Sequence, residues 1–161
     1  MTIHQAKLHG VLIIEPNVFS DDRGSFREII NTKKFDLLNS PIKQVNMAVS
    51  KKGVIRGLHY QEPAVSKYLW VVRGSVYDVA YNIQSGEYHG EVLSAENGKQ
   101  MLTPSGYAHG FQALEDDTVV CYVMDGTHNP DGDYSCDPTV IDWPIKDYIL
   151  SDKDKAAERL P

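Results

Sequence analysis

At 161 residues the chain has room for one domain of ordinary size and none for a second core, with roughly 69% of its surface expected to be buried. Hydrophobic residues at 42% and charged residues at 24% exclude a disordered chain, and a formal charge of −6 disfavours nucleic acid or anionic membrane as a partner. Cys121 and Cys136 are too few for a disulfide scaffold, no apolar stretch reaches the ~18 residues that cross a bilayer, and the polar start Met1-Thr2-Ile3-His4-Gln5 lacks a signal peptide's apolar core, so a cytoplasmic location is expected.

In chain order, Val11-Leu12-Ile13-Ile14 is a short apolar run closed by Glu15-Pro16, and Asp21-Asp22-Arg23-Gly24 reads as a turn. Thr32 to Leu38 is the one early helix candidate, with Phe35, Leu37 and Leu38 as its apolar residues. Strands then dominate. Ile42 to Val49, Val54 to Gln61, Tyr68 to Arg73, Val76 to Ile83 and Val119 to Met124 are all rich in β-branched and aromatic residues. Asn97-Gly98 predicts a two-residue hairpin, since both positions of a type I′ turn need positive φ. Ser151 through Arg159 reads as a short helix, with Ser151 as N-cap and Asp154 as the acid of a capping box. Many short strands with regular turns specify an all-β sandwich or barrel.

Chemistry-bearing residues fall on these elements. His59 lies within a strand whose period of two sets it on the face of Ile55 and Gly57, and sets Arg56 opposite unless a bulge intervenes. A satisfied core histidine is the ordinary reading. Against it stand Gln44 and Asn46 on one strand face, and Asp78 and Asn82 on another. Unpaired burial of such groups costs about 1–3 kcal/mol each, so a wet pocket is the better account. His109 follows a tight turn. Two histidines in a barrel also suit a metal site, but such sites take two closely spaced histidines in the first motif, and His59 is followed by Tyr60 and Gln61. His4, His9, His89 and His128 carry no spacing signal. Taken singly, Lys67 reads as an edge lysine, Tyr122 as a core aromatic, Asp154 as a helix cap and Arg23 as a turn residue.

Their combination is specific. Phe19-Ser20-Asp21-Asp22-Arg23-Gly24-Ser25-Phe26, then Ser50 through Gln61 with Arg56-Gly57-Leu58-His59-Tyr60-Gln61, then Leu93-Ser94-Ala95-Glu96-Asn97, occur in order. Gly106-Tyr107-Ala108-His109-Gly110-Phe111, Ile141-Asp142-Trp143-Pro144 and Leu150-Ser151-Asp152-Lys153-Asp154 follow. From about residue 10 to 155 this closely resembles the dTDP-4-dehydrorhamnose 3,5-epimerase family. The resemblance implies a cupin-like jelly-roll barrel over residues 1–161, no metal or organic cofactor, a homodimer and a nucleotide-sugar substrate. It implies proton transfer at carbons flanking the C4 ketone of a 4-keto-6-deoxyhexose. His59 matches the general base, Asp154 its carboxylate partner, Lys67 the cation near the C4 oxygen and Tyr122 the proton donor on the opposite face. Arg23, Phe26, Glu28, Gln44, Asn46 and Arg56 match positions that contact substrate, and His109 matches a pocket histidine. Part of the nucleotide site can come from the partner subunit in these dimers.

The chain departs from the family in places. Gln44-Val45-Asn46-Met47-Ala48 stands where Gln-Asp-Asn-His-Ser is common, and the segment between His59 and Lys67 is about two residues short. The loop around Ser85-Gly86-Glu87-Tyr88 is also abbreviated. Asn82 replaces a frequent acid, and Gly126-Thr127-His128 replaces an aromatic-rich stretch. Inversion at C3 alone or C5 alone, a CDP- or GDP-linked sugar, and a noncatalytic nucleotide-sugar-binding relative remain as alternatives. A 3,4-ketoisomerase ranks lower because the second histidine of the first motif is missing.

Overall fold

The computed structural model describes residues 1–33 and 41–158. In chain order the strands are β1 (Thr2–Gln5), β2 (Leu12–Glu15), β3 (Val18–Asp21), β4 (Gly24–Arg27), β5 (Gln44–Ser50), β6 (Ile55–Gln61) and β7 (Lys67–Arg73). They continue as β8 (Ser75–Tyr81), β9 (Tyr88–Ser94), β10 (Gln100–Thr103), β11 (Ala108–Ala113), β12 (Thr118–Met124) and β13 (Asp133–Ser135). One α-helical turn, α1 (Asp152–Lys155), follows two 3-10 turns at Pro130–Gly132 and Pro138–Val140. All five strands expected after residue 42 are present within two residues of their expected bounds. The helix candidate beginning at Thr32 lies largely outside the described residues.

Two antiparallel sheets face each other as a cupin-like jelly roll. One has the order β1-β2-β10-β7-β12-β5 and the other β13-β6-β11-β8-β9, while β3 and β4 form a separate hairpin. That hairpin turns at Asp22-Arg23, as its sequence predicts. Asn97-Gly98 behaves differently. Strand β9 pairs with β8, whereas β10 pairs with β2 and β7, so this turn carries the chain from one sheet to the other and makes no hairpin. Only Gly98 of the pair has positive φ, and the Asn97 side chain accepts from Ser94 N and Lys99 N instead, an Asx-type turn.

Alternation along the strands sorts the interior. Ile13, Leu69, Val71, Val76, Leu93, Met101 and Val120 point between the sheets and form a dry cluster. The outer face of the five-stranded sheet is covered by the segment after β13, through Cys136, Ile141 and Trp143 packed on Ile55, Leu58 and Val79. Gln112 clamps this cover, exchanging hydrogen bonds of 2.8 and 2.9 Å with the backbone of Ile145. The cover also delivers the chain to α1, because Ile149 exchanges backbone hydrogen bonds with Gly53 and Ile55. The terminal helix is shorter than predicted. It ends after one turn because the carbonyl of Glu158 accepts from Asp137 N, which draws the chain alongside Cys136.

Candidate active site

The parity that sets Arg56 and His59 on opposite faces is broken by a β-bulge. On β11, His109 pairs with His59 and Phe111 with Arg56, so β6 spends three residues where β11 spends two. Gly57 sits at φ +142° in the bulge, and a Cβ there would lie 2.5 Å from Gly110 Cα. A glycine is therefore required on β6 where the two backbones meet. The outcome is that Arg56 and His59 line one cavity of about 520 Å³, together with Asn46, Lys67, His109, Tyr122 and Asp154.

His59 Nε2 lies 2.6 Å from Asp154 Oδ1. Ser151 caps α1 as its sequence predicts, accepting from Asp154 N at 3.1 Å, and this cap aims the carboxylate of Asp154 at His59. Burial alone would raise the Asp154 pKa. The hydrogen bond and charge of His59, with contacts from Ser151 and Gly57 N, outweigh that and hold it below the usual carboxylate value. An anionic carboxylate only accepts, so Nε2 is the donor and Nδ1 is left as the nitrogen able to take a proton.

Lys67 opens β7 at the cavity and does not lie at a solvated edge. Its Nζ donates to the His59 carbonyl at 3.3 Å. Desolvation lowers its pKa to about 8, opposed by the charges of Asp133 and Asp78. Tyr122 lies on β12, the strand beside β7 in the same sheet, its pKa raised chiefly by burial, so it remains a neutral phenol well above pH 7. His109 forms a second, deeper pair, its Nε2 2.8 Å from Oδ1 of the fully buried Asp78. Asp78 Oδ2 has no hydrogen-bond partner among the described residues.

Arg56 is held at the cavity by Ser50 Oγ at 3.0 Å and the Val49 carbonyl at 3.1 Å. Gln44 and Asn46 face inward from β5 and are bonded to each other at 2.8 Å. A smaller cavity of about 290 Å³ adjoins the first, sharing Asn46, His59, Lys67 and Tyr122 and adding Gln44, His128 and Asp133. His128 and Asp133 carry no motif and were not legible as pocket residues. Asn82 does not join the polar lining expected for it; its side chain caps the turn at Gln84 and Ser85. Val45 and Met47 stand on the outer face of β5 with Val49 as an exposed apolar stripe, Met47 also reaching the cavity rim.

Three candidates are not gathered at His59. Arg23 and Phe26 sit on the β3–β4 hairpin, lining a separate concavity of about 470 Å³ that shares no residue with the others. There Arg23 is paired with Asp21 at 2.6 Å, and Phe26 is 68% exposed. Glu28 follows the hairpin and accepts from Asn31 Nδ2 at 2.8 Å. Among the described residues no three His, Cys, Asp or Glu side chains converge as metal ligands.

The model of one protein family, described as dTDP-4-dehydrorhamnose 3,5-epimerase, matches residues 5–161. This chain belongs to that family. It is 38% identical over 166 residues to the dTDP-4-dehydrorhamnose 3,5-epimerase of Methanothermobacter thermautotrophicus, covering 94% of this chain and 90% of that protein. It is 32% identical over 171 residues to the dTDP-4-dehydrorhamnose 3-epimerase of Streptomyces niveus, covering 98% of this chain and 83% of that protein. Among solved structures it matches the Legionella pneumophila dTDP-6-deoxy-D-glucose-3,5-epimerase in complex with dTDP-4-keto-L-rhamnose. There the TM-score is 0.92 at 34% identity, covering 98% of this chain and 92% of that one. The protein is thus an isomerase-family chain with the fold of its solved relatives.

Proposed function

We propose that the protein is a 3,5-epimerase of dTDP-4-dehydro-6-deoxy-D-glucose, acting in the cytoplasm in dTDP-L-rhamnose formation, as one domain, without a metal or organic cofactor. The observation that carries this reading is the 2.6 Å His59–Asp154 pair facing Lys67 and Tyr122 across one cavity. His59 Nδ1 takes the proton from the carbon beside the C4 ketone. The electron pair moves into an enolate whose oxygen is stabilised by the Lys67 ammonium, and Asp154 stabilises the imidazolium. Tyr122 gives its hydroxyl proton to the opposite face of the same carbon, which inverts the centre. The protonated His59 and the tyrosinate then return to their starting states by exchange with water.

Arg56 supplies a guanidinium for diphosphate oxygens, and Gln44, Asn46 and His109 supply neighbouring polar contacts. Arg23, Phe26 and Glu28 serve the nucleotide from across a homodimer. Two observations support that assembly. The hairpin that bears Arg23 and Phe26 projects its aromatic residues into solvent, and the outer stripe Val45, Met47 and Val49 is apolar and uncovered.

Incubation with dTDP-4-keto-6-deoxyglucose in D₂O, followed by NMR and mass spectrometry, tests the reading: deuterium enters at C3 and C5. The similarity to a 3-epimerase supports a second reading in which only C3 inverts, and uptake at C3 alone decides for it. Failure to take up deuterium with dTDP-, CDP- and GDP-linked ketosugars alike leaves a noncatalytic binding protein.

A further inference from the structure

Asp133 is a carboxylate in the wall of a pocket for a dianionic diphosphate sugar, where its charge repels the ligand, and no step of the reaction above uses it. Its surroundings give it another task. Oδ2 lies 2.5 Å from Lys153 Nζ, and Lys153 immediately precedes Asp154 on α1. A helix of four residues does not hold itself together, so its placement depends on tethers. The described tethers are the bonds of Asp154 to His59 and to Gly57 N, the backbone bonds of Ile149 to Gly53 and Ile55 just before the helix, the backbone bond from Asp137 to Glu158 after it, and the Asp133–Lys153 bridge. Asp133 also shares a cavity wall with Lys67 and Tyr122, two residues before Ser135, which pairs with His59.

We propose that Asp133 is a positioning residue for both halves of the site: through Lys153 it fixes α1 and the Asp154 carboxylate against His59, and from the cavity wall it shares with Lys67 its carboxylate balances the charge of the Lys67 ammonium. The groups that act on Lys67 come from several elements. Asp133 on β13 is the strongest favourable charge and Asp78 on β8 the next, while Lys153 on α1 opposes them. Asp78 is committed to His109, and His59 contributes only its carbonyl oxygen to Lys67. Tyr122 on β12 is neutral. Asp133 is therefore the carboxylate whose removal changes the field at Lys67 without taking a partner from His59 or His109.

The proposal rests on the epimerase reading for its kinetic arm and is independent of it in its titration arm. The full-length wild type, Asp133→Asn, Lys153→Gln and the double variant are compared in two ways. One is the Lys67 titration in the ligand-free protein, read from its ¹³Cε shift by NMR. The other is kcat and kcat/KM between about pH 6 and 10. Asp133→Asn lowers the Lys67 midpoint and draws the alkaline limb of kcat/KM down with it. Lys153→Gln moves both in the opposite direction. Each single variant lowers the plateau kcat about tenfold or more by freeing α1, and the double variant loses no more than the worse single one. Lys67 midpoints that coincide in all four proteins, or losses in kcat that multiply, overturn the proposal. Midpoints that move in opposite senses, in a protein that takes up no deuterium, uphold the electrostatic role and refute the epimerase reading instead.

Discussion

The barrel interior has two sides built partly from the same strands. On β7, Lys67 faces the cavity and Leu69, two residues on, is sealed in the apolar cluster; on β8, the inward positions run Val76, Asp78, Ala80. The dry side needs only packing, each large side chain contributing about 1.5–3 kcal/mol by burial. On the wet side most inward polar groups must have a named partner, and there the chain supplies them in pairs: His59 with Asp154, His109 with Asp78, Arg56 with Ser50, Gln44 with Asn46. Among the described residues Lys67 has the His59 carbonyl as its one hydrogen-bond acceptor, and burial disfavours its ammonium against the pull of Asp133 and Asp78. Stability is thus concentrated on one side, and on the other some of it is given up for reactivity.

Substitutions can break this contrast. The largest effect belongs to His59→Ala, which removes the base and slows deuterium uptake from D₂O by about 10²–10⁴-fold, read by NMR; uptake at the wild-type rate refutes the assigned base. Lys67→Met lowers kcat by about 10²–10³-fold and yet stabilises the fold at pH 7. The folded pKa of about 8 lies below the unfolded value, so the cost of the buried ammonium is fully present below pH 8 and is relieved as pH rises through that value. Urea midpoints at pH 7 and pH 9.5 check this, the gap between variant and wild type narrowing at the higher pH.

Tyr122→Phe is the next in size. It leaves proton abstraction and wash-in of deuterium intact while slowing inversion roughly 10²-fold, and a trapping reductase separates the two. The smallest effect on chemistry comes from the dry side. Leu69→Ala costs about 2–5 kcal/mol by leaving a cavity, measured by urea denaturation, while kcat below the melting range is unchanged. A loss of activity without a loss of stability at Leu69 would erase the distinction between the two sides.

Strand composition made β5 to β8 and β12 legible because branched and aromatic residues there serve the sheet locally. The Asn97-Gly98 hairpin was misread because turn propensity speaks of local φ and not of which sheet receives the next strand. The site was legible as a set of residue types and not as an arrangement. Parity placed Arg56 and His59 apart; the bulge at Gly57 that reunites them depends on a contact with Gly110, which lies on another strand. Asp154 announced itself as part of a helix cap, and both readings hold, since the same short turn caps itself and presents the carboxylate. Asp133 and His128 gave no signal because a lone acid or histidine in a polar loop has many uses, and only the fold sets them beside Lys67 and Tyr122.

The sequence separation of 95 between His59 and Asp154 also orders events during synthesis. Both large sheets can close, apart from short β13, once Met124 has emerged from the ribosome, yet the acid partner of the base is still thirty residues away. At about 5–20 residues per second a nascent chain spends about 2–6 s as a barrel with an unpaired histidine. During that interval it has a pocket and no working dyad. Activity is the last property the polypeptide acquires, and a chain arrested between Trp143 and Asp154 has its barrel and its cover but no dyad.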